Sequence, residues 1–112
     1  MKAQDLMTAG AAGPVTVYVT YSGPANAGFD RRWYLERHLP LVMNSWSPYG
    51  LLSVAAFFPA QAQQGTLAIC ECRFRDEAAI DAAFNSPEAP AVMADVRRFT
   101  EITPQRARAV AL

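Results

Sequence analysis

The chain is predicted to fold as an α+β domain. Its order of strand, helix, strand, strand, helix, strand is the split βαβ or ferredoxin-like βαββαβ arrangement, a four-stranded antiparallel sheet with two helices on one face. Residues 15–22 alternate apolar with polar side chains, as half-buried strands do, and residues 66–74 read as a further strand with Ala68, Cys70, Cys72 and Phe74 on one face. Residues 30–46 and 77–99 instead repeat their apolar positions at helical spacing. A length of 112 residues suits one domain of this size.

Residues 1–13 are rich in alanine and glycine and read as a loose N-terminal arm, with no apolar run long enough for an export signal or a membrane anchor. The folded domain is expected over 14–112. In the first strand Val15, Val17, Val19 and Tyr21 share one face, and Thr16, Tyr18, Thr20 and Ser22 the other. The turn-forming run from Ser22 to Gly28 then leads to the first helix; its glycines match neither a P-loop nor a dinucleotide fingerprint. Asp30 is placed to cap that helix and Phe29 to pack back on it as a staple. An apolar stripe of Leu35, Leu39, Val42 and Trp46 is expected, with Tyr34 and His38 one turn apart on its flank. Pro40 removes the hydrogen bond to the Glu36 carbonyl, so the helix should kink or stop after Leu39.

Ser47-Pro48-Tyr49-Gly50 marks a break, Leu51 to Phe58 reads as the second strand, and a glutamine-rich hairpin connection runs to Gly65. On the third strand, Thr66 to Phe74, Ala68, Cys70, Cys72 and Phe74 share a face opposite Leu67, Ile69, Glu71 and Arg73. Glu71 and Arg73 are either solvated or paired across the sheet. Asp76 should cap a helix over Glu77 to Phe84, and Ser86 with Pro87 should restart it through about Phe99, burying Val92, Val96 and Phe99. Ile102 to Leu112 then forms the last strand, at a sheet edge or a dimer seam.

Composition narrows the function classes. The chain is 52% hydrophobic and 18% charged, with 10 basic and 10 acidic residues, so no broad field would draw it to nucleic acid or to an acidic membrane. Its apolar surplus, and a sheet face left uncovered by the two helices, predict an isologous homodimer. Cys70 and Cys72 point to one face of a strand about 7 Å apart, a poor geometry for a disulfide. They are expected as reduced core thiols of a cytoplasmic protein. Two thiols and one distant histidine fall short of a zinc site, and no metal is expected.

His38 is the only histidine and the one side chain whose ordinary pKa lies near neutrality. It is either a buried residue donating to a main-chain carbonyl or an acid–base group at a cavity. The run Phe29-Asp30-x-x-Trp33-Tyr34-x-x-x-His38-x-Pro40-Leu41 resembles the signature of the EthD family, small proteins of the dimeric α/β-barrel superfamily. A second segment, Ser86-Pro87-Glu88-Ala89 through Ala94-Asp95-Val96 to Phe99-Thr100-Glu101-Ile102, resembles that family's later helix and its exit into the last strand. Two departures are plain: Trp33 stands where a tyrosine is frequent, and Arg97-Arg98 where proline and asparagine are. Asp95 follows an alanine as in the family, and its expected partners are Arg97, Arg98 or the first helix.

The resemblance implies a barrel closed by two chains and a pocket between helices and sheet. Its expected aromatic walls are Tyr18 or Tyr21, Trp33, Trp46, Phe84 and Phe99, suited to a small apolar or cyclic metabolite. In that pocket His38 would move a proton and Tyr34 would steer it or donate to an oxyanion. Cofactor-independent dehydration, isomerisation or ring closure fits a single histidine better than hydrolysis, and no nucleophile elbow or cysteine–histidine pair supports another class. The alternatives are a non-catalytic binder of a hydrophobic metabolite or of haem, with His38 as ligand, and an accessory subunit acting through its dimer surface.

Overall fold

The structure is a computed structural model that describes residues 13–109. Apart from Gly13, the expected arm lies outside the described residues, as does the end of the expected last strand beyond Ala109. The elements follow the predicted order: β1 (Val15–Gly23), α1 (31–46), β2 (Leu51–Phe57), β3 (Gly65–Phe74), α2 (Glu77–Phe84), α3 (Ala89–Asp95) and β4 (Gln105–Ala109). The sheet is four-stranded in the order β2-β3-β1-β4 with every neighbouring pair antiparallel, which is the ferredoxin-like arrangement. β4 is an edge strand. Among the described residues no helix is long and apolar enough to cross a membrane.

The alternation in the strands places the core. Val17 and Tyr21 of β1 and Ala68, Cys70, Cys72 and Phe74 of β3 are buried against the helices. The opposite face carries Tyr18, whose hydroxyl donates to Glu71 Oε2 at 3.0 Å, so the glutamate pairs across the sheet rather than standing free. Leu67, Ile69 and the 53% exposed Phe57 share that face, which no helix covers.

Local chemistry sets the helix ends. Asp30 accepts from the Trp33 N–H at 3.0 Å, and Phe29 packs edge-on against Tyr34 at 5.2 Å, completing the cap and staple. Asp76 likewise accepts from the Ala79 N–H at 2.8 Å. Ser86 does not cap α3: its hydroxyl turns back to the Ala83 carbonyl at 2.6 Å, and the helix begins at Ala89 with Pro90 in its first turn. After Asp95 the chain tightens into a 3₁₀ turn, Val96–Arg98.

Gly50 ends the first helical segment with φ +109, a left-handed conformation that side chains disfavour. A Cβ there would lie 2.5 Å from Ala79 Cβ, because α2 crosses directly over the turn. Gly50→Ala should therefore lower stability by about 1–3 kcal/mol. Urea denaturation of the two proteins checks this, and equal midpoints would contradict it.

Candidate active site

Pro40 shapes the site. In a regular helix its ring would press on the Glu36 carbonyl, and the chain ahead of it opens into a π turn, Tyr34–His38, in which the Leu39 N–H donates to the Tyr34 carbonyl five residues back. The helix does not stop: Leu39–Trp46 continues as α-helix. One extra residue in a turn rotates the two halves by about 100° relative to each other. That rotation corrects the expected stripe: Tyr34 and His38 face inward at 1% and 5% exposure, in line with Val42 and Trp46, whereas Leu35 is 46% exposed.

His38 is held from three sides. Its Nδ1 lies 2.9 Å from Asp95 Oδ2, near the C-terminal end of α3. Its ring stacks on Tyr34 with centroids 5.7 Å apart, and Phe99 closes on it at 4.7 Å. A carboxylate only accepts, so Nδ1 carries the proton and Nε2 keeps its lone pair. The indole Nε1–H of Trp33 donates to the same Asp95 oxygen at 3.3 Å, fixing the carboxylate in turn. Burial pushes the imidazole pKa below its ordinary 6.5, and the hydrogen bond and charge of Asp95 offset part of that shift. At neutral pH the ring is therefore a neutral base. Tyr34 moves the opposite way: burial raises its phenol, with the thiols beneath adding to the effect, and keeps it a donor.

His38 and Tyr34 border a cavity of about 100 Å³ between α1 and the sheet. The volume is of the order of the ~150 Å³ engineered cavity that admits benzene. Val19, Tyr21, Cys70 and Cys72 form its floor, and Val42, Trp46 and Phe84 are among the residues that form its walls. Cys70 and Cys72 are free thiols with their sulfurs 3.5 Å apart. Met93 and Arg106, both exposed, mark the outer end. Among the described residues, two buried polar atoms in these walls, Tyr34 Oη and Trp46 Nε1, meet no nitrogen or oxygen partner, and the phenol has the weakly accepting Cys70 sulfur beside it. Buried polar atoms ordinarily find such a partner.

Of the residues expected at the site, His38, Tyr34, Trp46 and Phe84 meet at the cavity, and Tyr21 rather than Tyr18 supplies the tyrosine of its floor. Tyr18 lies on the other face of the sheet because its parity along β1 is opposite to that of Tyr21. Trp33 and Phe99 are not on the wall: the first anchors Asp95 and the second backs the imidazole. The role of Asp95 had a signal in the sequence. It lies three residues after Val92 and four before Phe99, so a carboxylate was bound to fall on the buried stripe of α3 and to need a partner there. Its partners are His38 and Trp33 of α1, not Arg97 or Arg98. Arg97 instead donates to the Glu101 carbonyl.

A porphyrin does not fit this space. Pockets that bury drug-sized molecules run to about 300–1,000 Å³, well above the 100 Å³ present. Among the described residues no group of three or more His, Cys, Asp or Glu is placed to hold a metal ion.

A four-stranded antiparallel sheet with its helices on one face defines the ferredoxin-like class of α+β folds. Within that class the chain belongs to the EthD family, whose domain matches residues 26–103. An EthD-like protein from Ralstonia eutropha JMP134 superposes with a TM-score of 0.76 at 20% identity, covering 87% of this chain and 90% of that one. An ethyl tert-butyl ether D (EthD) family protein from Bacillus halodurans C-125 gives 0.64 at 18% identity, over 87% and 99%. SnoaB, a cofactor-independent oxygenase from Streptomyces nogalater, gives 0.63 at 13% identity, over 90% and 95%. Among curated proteins none matches in sequence.

The imidazole offers a direct check on its partner. Replacing Asp95 by alanine removes the two effects that raise the His38 pKa and leaves burial, so the pKa should fall further, as read from the imidazole NMR shifts. Because the folded pKa lies below the unfolded value of 6.5, the unfolded chain binds the proton first as pH drops. The His38 contribution is whole above about pH 6.5 and declines below it, until pH reaches the folded pKa. His38→Gln should remove that portion of the acid sensitivity, measured as urea midpoints between pH 7.5 and 5.

Proposed function

We propose that this protein is a cofactor-independent proton-transfer enzyme of the isomerase, dehydratase or cyclase type, acting on a small cyclic metabolite. The observation that carries the reading is the hydrogen bond from His38 to Asp95 beside a cavity in whose walls two buried donors, Tyr34 Oη and Trp46 Nε1, meet no nitrogen or oxygen partner among the described residues. Both are donors, so a substrate carbonyl or enol oxygen supplies what they lack. With that oxygen held, His38 Nε2 takes a proton from the adjacent carbon. The C–H electron pair becomes the C=C of an enolate whose negative oxygen Tyr34 and Trp46 stabilise, and Asp95 stabilises the imidazolium. The imidazolium then returns its proton to another carbon, which completes an isomerisation, or to a departing hydroxyl, which leaves as water. SnoaB is described as cofactor-independent, and it shares the fold.

The test uses cyclohexanone, a single ring that suits the cavity. Hydrogen–deuterium exchange of its α-carbon protons, followed by NMR, should be accelerated by the protein. His38→Ala should reduce the enzyme-dependent rate about 10²- to 10⁴-fold. Tyr34→Phe should cost about 10²- to 10³-fold. Unchanged exchange in His38→Ala would refute the assignment.

The same reading takes the working unit as a homodimer paired through the uncovered sheet face, where the exposed Phe57 and the half-buried Ile69 carry apolar surface that a small domain seldom leaves wet. Sedimentation equilibrium should give twice the chain mass, and Phe57→Asp should shift it toward the monomer. A wild-type monomer at micromolar concentration would refute the pairing.

A further inference from the structure

β4 carries two arginines on its helix-facing side, and they differ in what surrounds them. Arg108 Nη1 lies 2.6 Å from Glu77 Oε2 at the start of α2, so its charge is met within the protein. Arg106, one register step inward and directly opposite Val19, makes no ion pair among the described residues. Its guanidinium instead lies 4.2 Å from the centre of the Phe84 ring, at the outer end of the cavity. Asp81 of α2 lines the adjoining groove with Arg106 but forms no ion pair with it. An arginine spread over an aromatic ring is held flat and keeps its outward N–H groups for an oxyanion.

The dimensions set the size of the ligand. Arg106 faces Val19, and Val19 faces Cys70 on the next strand. Two strand spacings, roughly 10 Å, separate the main chain of Arg106 from that of Cys70 on the cavity floor, and the Arg106 side chain covers part of that distance to reach Phe84. The space left between guanidinium and floor suits a single six-membered ring with a carboxylate at its outer end. Its far end reaches the apolar interior, where the two donors wait.

The geometry points to a substrate class: a one-ring carboxylate with an oxo or hydroxy group, its ring in the cavity, its oxygen at Tyr34 and Trp46, and its carboxylate on Arg106. This rests on the reading of the cavity as the substrate site, and it adds Arg106 as the residue that selects for a negative charge. Nothing in the chemistry of His38 requires that charge, so a neutral ring enters as well but is held less firmly.

Isothermal titration of the full-length protein with benzoate, with its neutral isostere benzamide and with cyclohexanone tests the assignment. Benzoate should bind about five- to tenfold more tightly than benzamide, as a charge-assisted contact adds. That preference should shrink as salt is raised. Arg106→Gln should bring benzoate down to the affinity of benzamide while cyclohexanone binds as before, and Arg106→Lys should keep part of the preference. Equal binding of benzoate and benzamide, or an unaltered benzoate affinity in Arg106→Gln, overturns the role of Arg106 even where cyclohexanone still binds. If cyclohexanone also fails to bind, the cavity reading falls and this assignment falls with it.

Discussion

Pro40 has no N–H to give to the carbonyl four residues back, and its ring needs room there. α1 accommodates both by taking one residue more into the turn before it. The cost is a weaker local hydrogen-bond pattern, offset by the packing of Tyr34, His38, Val42 and Trp46 against the sheet. Without the wide turn, Tyr34 and His38 would lie on the flank of the helix, and Leu35 would take the buried place it now lacks. The imidazole, the phenol beside it and the indole two turns on share one wall because of this local irregularity. Rare helical forms often coincide with functional positions, and here the mechanical reason is visible.

The pair His38 and Asp95 is held at 2.9 Å between two helices, and it works as a hydrogen bond to a neutral ring rather than as an ion pair at neutral pH. Burial disfavours the imidazolium, so the proton is readily released once taken up. The nearby carboxylate keeps that penalty from becoming prohibitive. Trp33 matters through Asp95, since a carboxylate with two donors on one oxygen has a fixed direction. An aspartate buried with no such partners would cost several kcal/mol. The bond therefore fastens α3 to α1 as well as orienting the ring.

Space for a ligand comes from a mismatch in side-chain size across the layer. The sheet offers Val19, Cys70 and Cys72 beneath the helix, while α1 and α2 supply Tyr34, Trp46 and Phe84 from above. Small residues facing large rings at edge-on angles leave a gap that neither side fills, in a fold that otherwise packs densely. The thiols suit this floor because they are compact and apolar. The other face of the sheet tells a simpler story: Tyr18 and Glu71 satisfy each other, and Phe57 lies exposed on the same face.

Much of the architecture was legible in the residue order, because strand alternation and helical periodicity are local properties; the exception is α1, where the π turn moved the buried stripe off Leu35 and onto Tyr34 and His38. The β1 and β3 faces, the Asp30 and Asp76 caps, the Phe29 staple and the pairing of Tyr34 with His38 all follow from spacing within a few residues. The start of α3 departed from expectation because Ser86 found a carbonyl one turn back, a competition that composition does not decide. The site separated more sharply. A lone histidine near a tyrosine could be read from the chain, whereas Asp95, 57 positions on, had Arg97, Arg98 and the first helix as candidate partners, and the choice of His38 was settled only with the helices side by side. The exclusion of Tyr18 from the cavity, the standing of Trp33 behind Asp95 and the unmet charge of Arg106 were likewise decided only by the tertiary fold. Sequence alone specifies which residues share a face of their own element. Which faces then meet, and what is left without a partner between them, depends on the packing of elements far apart in the chain.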